Sequence, residues 1–145
     1  MKQTSSRRCK PDQGFTLVEL MIVLAIIAVL TAFAWPNYRN GVLRSHRAEA
    51  MEALLDVAQN QEMLYSTTNA YSTNAKPFSP TAATLTTENG YYLISVANGA
   101  CGTTACFKAT ATAQGGQAED SNCLTMSIDS LGSKTSTPAG NDCWP

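Results

Sequence analysis

A glycine, a phenylalanine and a glutamate at positions 14, 15 and 19 are the residues of this chain whose types and spacing point to chemistry. Gly14 has no Cβ, so a protease can bring its backbone close to the Gly14–Phe15 bond. A cut there leaves a free amine on Phe15. Four residues later, Glu19 is the single ionisable side chain in an apolar run from Phe15 to Trp35. A carboxylate placed in such a run is costly unless it meets a partner of opposite charge. The Phe15 amine of another subunit would be that partner.

Four cysteines form the second chemical group. Cys9 lies before Gly14, which leaves Cys101, Cys106, Cys123 and Cys143, an even set. Two disulfides in an oxidising compartment are the direct reading, and four cysteines allow three pairings. Cys101–Cys106 with Cys123–Cys143 is favoured, because each bond closes a local loop containing glycine. Zinc fits less well: a Cys-x4-Cys spacing with no nearby second pair or histidine is not a zinc ligand set. His46 is the one histidine. With no Gly-rich phosphate loop and no Cys/His dyad either, no catalytic constellation forms, and the expectation is a non-enzyme without cofactor or metal.

The elements that position these residues follow from periodicity. Phe15 to Trp35 is long enough, at about 31 Å as a helix, to cross a bilayer core. Lys2, Arg7, Arg8 and Lys10 precede it, so the leader stays on the cytoplasmic side. Helical spacing then continues in a stripe of Leu43, Arg47, Ala50, Leu54, Val57 and Leu64, flanked by Met51, Leu55 and Ala58. One interrupted helix from about 15 to 66 is predicted. Its first half is apolar all round, its second amphipathic, and Pro36 with Gly41 predicts a kink or melted turn at 34–42. Residues 67–89 read as a connecting loop with at most a short turn of helix. Residues 91–97, 107–113 and 123–129 read as strands, the last two alternating apolar and polar, which predicts an antiparallel sheet with one face on the helix. The Gly/Ser/Thr/Pro-rich tail from Leu131 would be ill-ordered without a Cys123–Cys143 staple.

The fold class is therefore α+β: a long N-terminal helix packed on a small antiparallel sheet with a disulfide-stapled C-terminal loop. The domains are a leader at 1–14, a membrane or core helix at 15–38, an amphipathic helix at 39–66 and a globular head at 67–145. Charged residues are 14% of the chain, well under the usual quarter. Removing the leader shifts the formal net charge from −1 to about −4, which weakens a nucleic-acid reading without excluding a local patch.

Leader, Gly14, Phe15 and Glu19 together resemble the processing signature of a type IV prepilin. That resemblance implies cleavage after Gly14 and N-methylation of Phe15 by a prepilin peptidase/methylase. It also implies that Glu19 pairs with the Phe15 amine of a neighbouring subunit, and that the partners are other pilins and an inner-membrane assembly platform. The location implied is a single inner-membrane pass with a periplasmic head, then an extracellular pilus. The order of helix, loop, three- or four-stranded meander and disulfide-bounded tail resembles the type IVa pilins. Tyr38, Arg44, Arg47, Gln61-Glu62, Tyr65, Tyr71 and the final Leu131-Gly132…Cys143-Trp144 are similar to PilE-type minor pilins. The implied function is a minor subunit for pilus biogenesis, twitching motility and adhesion. The alternatives are a major pilin, a DNA-uptake pilin or a type II secretion pseudopilin. The Cys101–Cys106 pair departs from the family pattern.

Blander readings compete residue by residue. A secretory signal cut near Ala32-Phe33-Ala34 conflicts with Glu19 inside an overlong apolar region. An uncut signal anchor leaves Glu19 without a purpose, and Arg7-Arg8 lacks the apolar residues of a twin-arginine signal. His46 is expected to be a solvated helix residue, and Arg39, Arg44 and Arg47 a solvated face rather than contacts to lipid headgroups or a neighbour. Glu119, Asp120, Asp129 and Asp142 match no calcium loop and are expected in solvated turns. Trp144 is expected to pack the tail down, and Tyr91 and Tyr92 to face opposite sides of their strand.

Overall fold

The computed structural model describes residues 14–79, 82–102, 104–140 and 143–144. The leader residues Lys2, Arg7, Arg8, Cys9 and Lys10, and Asp142 among the carboxylates, lie outside the described residues. Helix α1 runs Leu17–Thr68. Thr16 caps it: its hydroxyl accepts the Glu19 backbone N–H at 3.2 Å, satisfying one of the donors that a helix start leaves open. The expected melted turn at 34–42 is not there, because the helix continues through Pro36 and Gly41 without a break. Proline removes one donor, but the flanking turns keep theirs, and side chains supplement the ladder. The Asn37 amide donates to the Phe33 carbonyl at 3.4 Å, and the Thr31 hydroxyl to Ile27 and Ala28.

The chain divides at Arg39–Asn40 into two compact units. In the N-terminal unit the apolar side chains are exposed, from Phe15 at 82% to Trp35 at 75%. This helix contains an 18-residue window of mean hydropathy 2.7, none of it buried. Such a helix has no apolar partner within its own unit.

The second unit is the head. Its sheet has the order β1-β2-β3-β4-β5, antiparallel throughout: β1 Thr84–Thr86, β2 Tyr92–Asn98, β3 Phe107–Ala113, β4 Thr125–Asp129 and β5 Lys134–Thr137. The strands expected at 91–97, 107–113 and 123–129 are the three central ones. The sheet also has two edge strands that were expected to be loop and tail, so it is five-stranded rather than three or four. Both edges are short and made of Thr, Ser, Lys and one Leu, a composition that suits a solvated edge. Alternation puts Tyr92, Ile94, Val96, Phe107, Ala109 and Ala111 on one face, buried with Ala50, Leu54 and Val57 of α1. Leu55 of the predicted stripe is 48% exposed and lies outside this core.

Two glycines hold the outer turns in left-handed backbone: Gly90 (φ 78°) between β1 and β2, and Gly132 (φ 76°) between β4 and β5. Asp129 closes the second turn, its Oδ1 accepting the Leu131 and Ser133 N–H groups. The loop after α1 is anchored by Gln61, which is fully buried. Its Nε2 donates to the Asn74 carbonyl at 2.8 Å and its Oε1 accepts the Ser72 N–H at 2.9 Å.

Cys101 is bonded to Cys106 and Cys123 to Cys143. The first bond lies against Gly99, where a Cβ would come within 2.5 Å of Cys106 Sγ. The second ties the tail to the start of β4, and Trp144 completes it by donating from Nε1 to the Thr135 carbonyl at 3.0 Å. Lys134 lies 5.0 Å above the same indole. Closing the loop from 123 to 143 constrains the unfolded chain by about 3 kcal/mol, against about 2 for the shorter loop. Cys123→Ser with Cys143→Ser should therefore lower the denaturation midpoint more than the Cys101/Cys106 pair of substitutions, read by chemical denaturation of each variant.

Candidate functional site

Gly14, Phe15 and Glu19 lie together at the start of α1, all exposed. The Thr16 cap uses only the backbone of Glu19, and its carboxylate has no hydrogen bond or ion pair among the described residues. An acidic side chain in the first helical turn meets the positive end of the helix dipole, a small gain at an exposed site. That gain is far below the cost of holding a lone carboxylate in hydrocarbon.

The head holds a second polar constellation, built where α1 meets the 3-10 turn Gly115–Glu119. Arg47 grips Asp120 with two bonds, Nε to Oδ2 and Nη2 to Oδ1, both 2.7 Å. Their side chains are only 11% and 2% exposed. Hydrogen bonding to the Asp120 carboxylate raises the Arg47 pKa above its usual value against the opposing effect of burial. Buried Gln117 sits at the centre. Its Nε2 faces the Leu43 carbonyl, the Tyr92 hydroxyl and Asp120 Oδ2 at 3.0–3.2 Å. A carbonyl and a carboxylate can only accept, which turns the amide oxygen toward His46. His46 Nδ1 lies 2.8 Å from Gln117 Oε1 and therefore carries the proton. The His46 ring stacks on Tyr91 with centroids 3.5 Å apart.

Three expectations are corrected here. His46 is partly buried and bonded rather than solvated, Arg47 is ion-paired rather than part of a solvated face, and Asp120 is buried rather than in a solvated turn. The reason is the same in each case: the loop at 114–122 folds back on α1, bringing together groups more than 70 positions apart. Tyr91 and Tyr92 do take opposite faces, Tyr92 fully buried and Tyr91 half-buried on His46. Burial lifts the Tyr92 pKa, opposed by its hydrogen bond with Gln117. Sequence reasoning missed Gln117 altogether and named Gln61 only in the minor-pilin resemblance, without its buried anchoring role, since a buried glutamine has no sequence mark.

Nearby, Glu49 accepts the Asn89 backbone N–H at 2.9 Å and its Nδ2 at 3.0 Å, pinning the β1–β2 turn to the helix. Desolvation opposes its ionisation, but the bonds from Asn89 and Thr87 outweigh it and lower the carboxyl pKa. A lowered folded-state pKa adds stability above the unfolded value and loses it as pH falls through the folded one. Melting temperature should thus fall as pH drops below the ordinary glutamate range, and Glu49→Gln should shrink that dependence. Tyr71 stacks on Tyr65 and donates to Glu62 at 2.9 Å; burial and that bond push its pKa up to about 12. Among the described residues no group of three His, Cys, Asp or Glu could hold a metal ion.

Comparison with known proteins matches both units. Residues 9–35 fit the family described as the prokaryotic N-terminal methylation motif. Residues 36–127 fit the family described as type IV minor pilin ComP, DNA uptake sequence receptor. Fimbrial protein EcpC of Eikenella corrodens is 37% identical over 110 residues, covering 73% of this chain and 69% of that protein. Type IV major pilin protein PilA of Myxococcus xanthus is 39% identical over 93 residues, but the match spans only 40% of its length. Type IV major fimbrial protein FimA of Dichelobacter nodosus is 56% identical over 40 residues, a quarter of its length. A solved type IV pilin from Shewanella oneidensis shares the fold at a TM-score of 0.50 and 25% identity, covering 71% of this chain and 98% of that one. With a methylation motif on the apolar helix, a pilin match across most of the head and a relative aligned over 73% of this chain, the chain belongs to the type IV pilin family.

Proposed function

We propose that this chain is a minor subunit of a type IV pilus. It would cross the inner membrane once with its head in the periplasm, be cleaved between Gly14 and Phe15, be N-methylated at Phe15 and pass into a surface filament. The observation that carries this reading is the exposed apolar helix whose one carboxylate, Glu19, has no partner among the described residues. Such a helix can leave lipid for an equally apolar filament core, since both bury the same surface. Glu19 would set axial register by requiring the Phe15 amine of a neighbour. The domain reading is a leader at 1–14, a core helix at 15–38 and the remainder as amphipathic helix and head. Minor rather than major status is supported by the match of residues 36–127 to a minor-pilin family. The role proposed for it is structural, in pilus biogenesis, twitching motility and adhesion.

The test is mass spectrometry of filaments sheared from the native cell. N-methylated Phe15 at trace abundance supports a minor pilin, and the same species as the dominant subunit makes it a major one. Absence from filaments with an uncut Gly14–Phe15 bond in membranes overturns the pilin reading.

The description of that same family favours DNA uptake as a second reading. Lys76, Lys108 and Lys134 are exposed on the head, although the processed chain is net acidic. Binding of the detergent-solubilised full chain to duplex DNA, weakening steeply with salt, supports it; salt-insensitive or absent binding removes it.

A further inference from the structure

Beside α1 in the head, Trp144 forms one wall of a cavity of about 780 Å³. Met51, Glu52, Leu55 and Asp56 of the helix and Lys134 of β5 line it too. Part of this lining is apolar and open: Leu55 is 48% exposed and Met51 is half-buried. Glu52 and Asp56 are both exposed and stand four positions apart, so they are neighbours on the helix surface, where like charges repel. Neither has a salt bridge among the described residues; Asp56 Oδ2 accepts the Asn60 amide at 3.2 Å. The cation of the cavity is placed elsewhere. Lys134 Nζ lies 5.0 Å from the centroid of the Trp144 ring, where the electron-rich face of the indole attracts it. That ring is itself fixed, by its bond to the Thr135 carbonyl and by the Cys123–Cys143 disulfide one residue before it. The cavity thus combines an aromatic wall that already carries an alkylammonium group, apolar side chains, and two carboxylates without a counter-ion.

We propose that this cavity binds a linear aliphatic polyamine. One ammonium end replaces Lys134 on the indole, the methylenes lie along Met51 and Leu55, and the remaining charge meets Glu52 and Asp56. Each part of the lining selects against a simpler cation. A metal ion gains nothing from apolar side chains and needs a fuller shell of oxygens, and no group of three ligands is present among the described residues. A quaternary ammonium ion prefers an aromatic cage, and a single indole is not one. The two carboxylates stand about 6 Å apart along the helix axis, which suits charges separated by a short alkyl chain rather than held on one centre. Lys134 is then an internal competitor. While its ammonium group covers the ring, the site is partly filled, and apparent affinity falls by the fraction of chains in that state.

The experiment is calorimetric titration of the full chain in an uncharged detergent at physiological salt, with spermidine as the probe and Mg²⁺ as a competitor. The expected result is saturable binding of one spermidine per chain that Mg²⁺ at equal charge does not displace. Glu52→Gln with Asp56→Asn should weaken that binding at least tenfold. Lys134→Met should strengthen it several-fold, since the indole is then free and the cavity has lost its own positive charge. Heats that never saturate, or displacement by Mg²⁺, reduce the cavity to a diffuse acidic surface and overturn the site. So does binding that survives the carboxylate substitutions, and so does a Lys134→Met chain that binds no better than wild type. If the double carboxylate variant fails to fold, the comparison of Lys134→Met with wild type decides.

Discussion

Asp120→Ala is expected to destabilise the head by about 3–5 kcal/mol, the usual cost of removing one partner from a buried ion pair. The magnitude follows from what is left behind. Arg47 is 11% exposed and donates two guanidinium hydrogen bonds to this one carboxylate, so truncation strands a largely buried charge without its counter-ion. Gln117 loses one of its three oxygen neighbours but keeps the Leu43 carbonyl and the Tyr92 hydroxyl, so its contribution to the loss is secondary. Adding Arg47→Met should recover much of the stability, because an apolar side chain of similar length no longer needs a counter-charge. Equilibrium denaturation of the detergent-solubilised chain, followed by Trp144 fluorescence, measures both. A loss under about 1 kcal/mol would mean that the pair behaves like a solvent-screened surface bridge.

That pair also shows where the sequence stops being legible. Arg47 sits in the helical stripe as though it were a solvated interruption, and Asp120 sits in a glycine-rich loop among other acids. Nothing local links two residues 73 positions apart. His46 and Gln117 belong to the same long-range closure. By contrast, β3 was readable because Phe107, Ala109, Ala111 and Ala113 alternate with polar residues that face out. The helix was readable because its two patterns, apolar all round and then amphipathic, are each longer than any strand. β1 and β5 were hidden because an edge strand of threonines and serines has no apolar face to betray it. Pro36 is a different case: its missing donor does not end the helix, so of the kink or melted turn read from it only the melted turn is absent.

At the other end of the molecule, Glu19→Ala is expected to leave membrane insertion and cleavage intact and to lower the chain's share of filaments at least tenfold. Insertion survives because removing a carboxylate makes the segment more apolar, and the Gly14–Phe15 bond is untouched. The helix start survives too, since Thr16 accepts the backbone N–H of residue 19, which alanine retains. What would disappear is the carboxylate proposed to compensate a neighbour's Phe15 amine in an apolar filament core, and an uncompensated amine there would be as costly as an uncompensated carboxylate. Glu19→Gln separates charge from shape: it keeps the length and an acceptor oxygen, so incorporation near that of wild type would reduce the interaction to a hydrogen bond. Incorporation as poor as that of alanine would assign it to charge. Methylation reads the same contact from the amine's side, and a Glu19→Ala chain that is methylated and assembled normally would remove Glu19 from the register mechanism altogether.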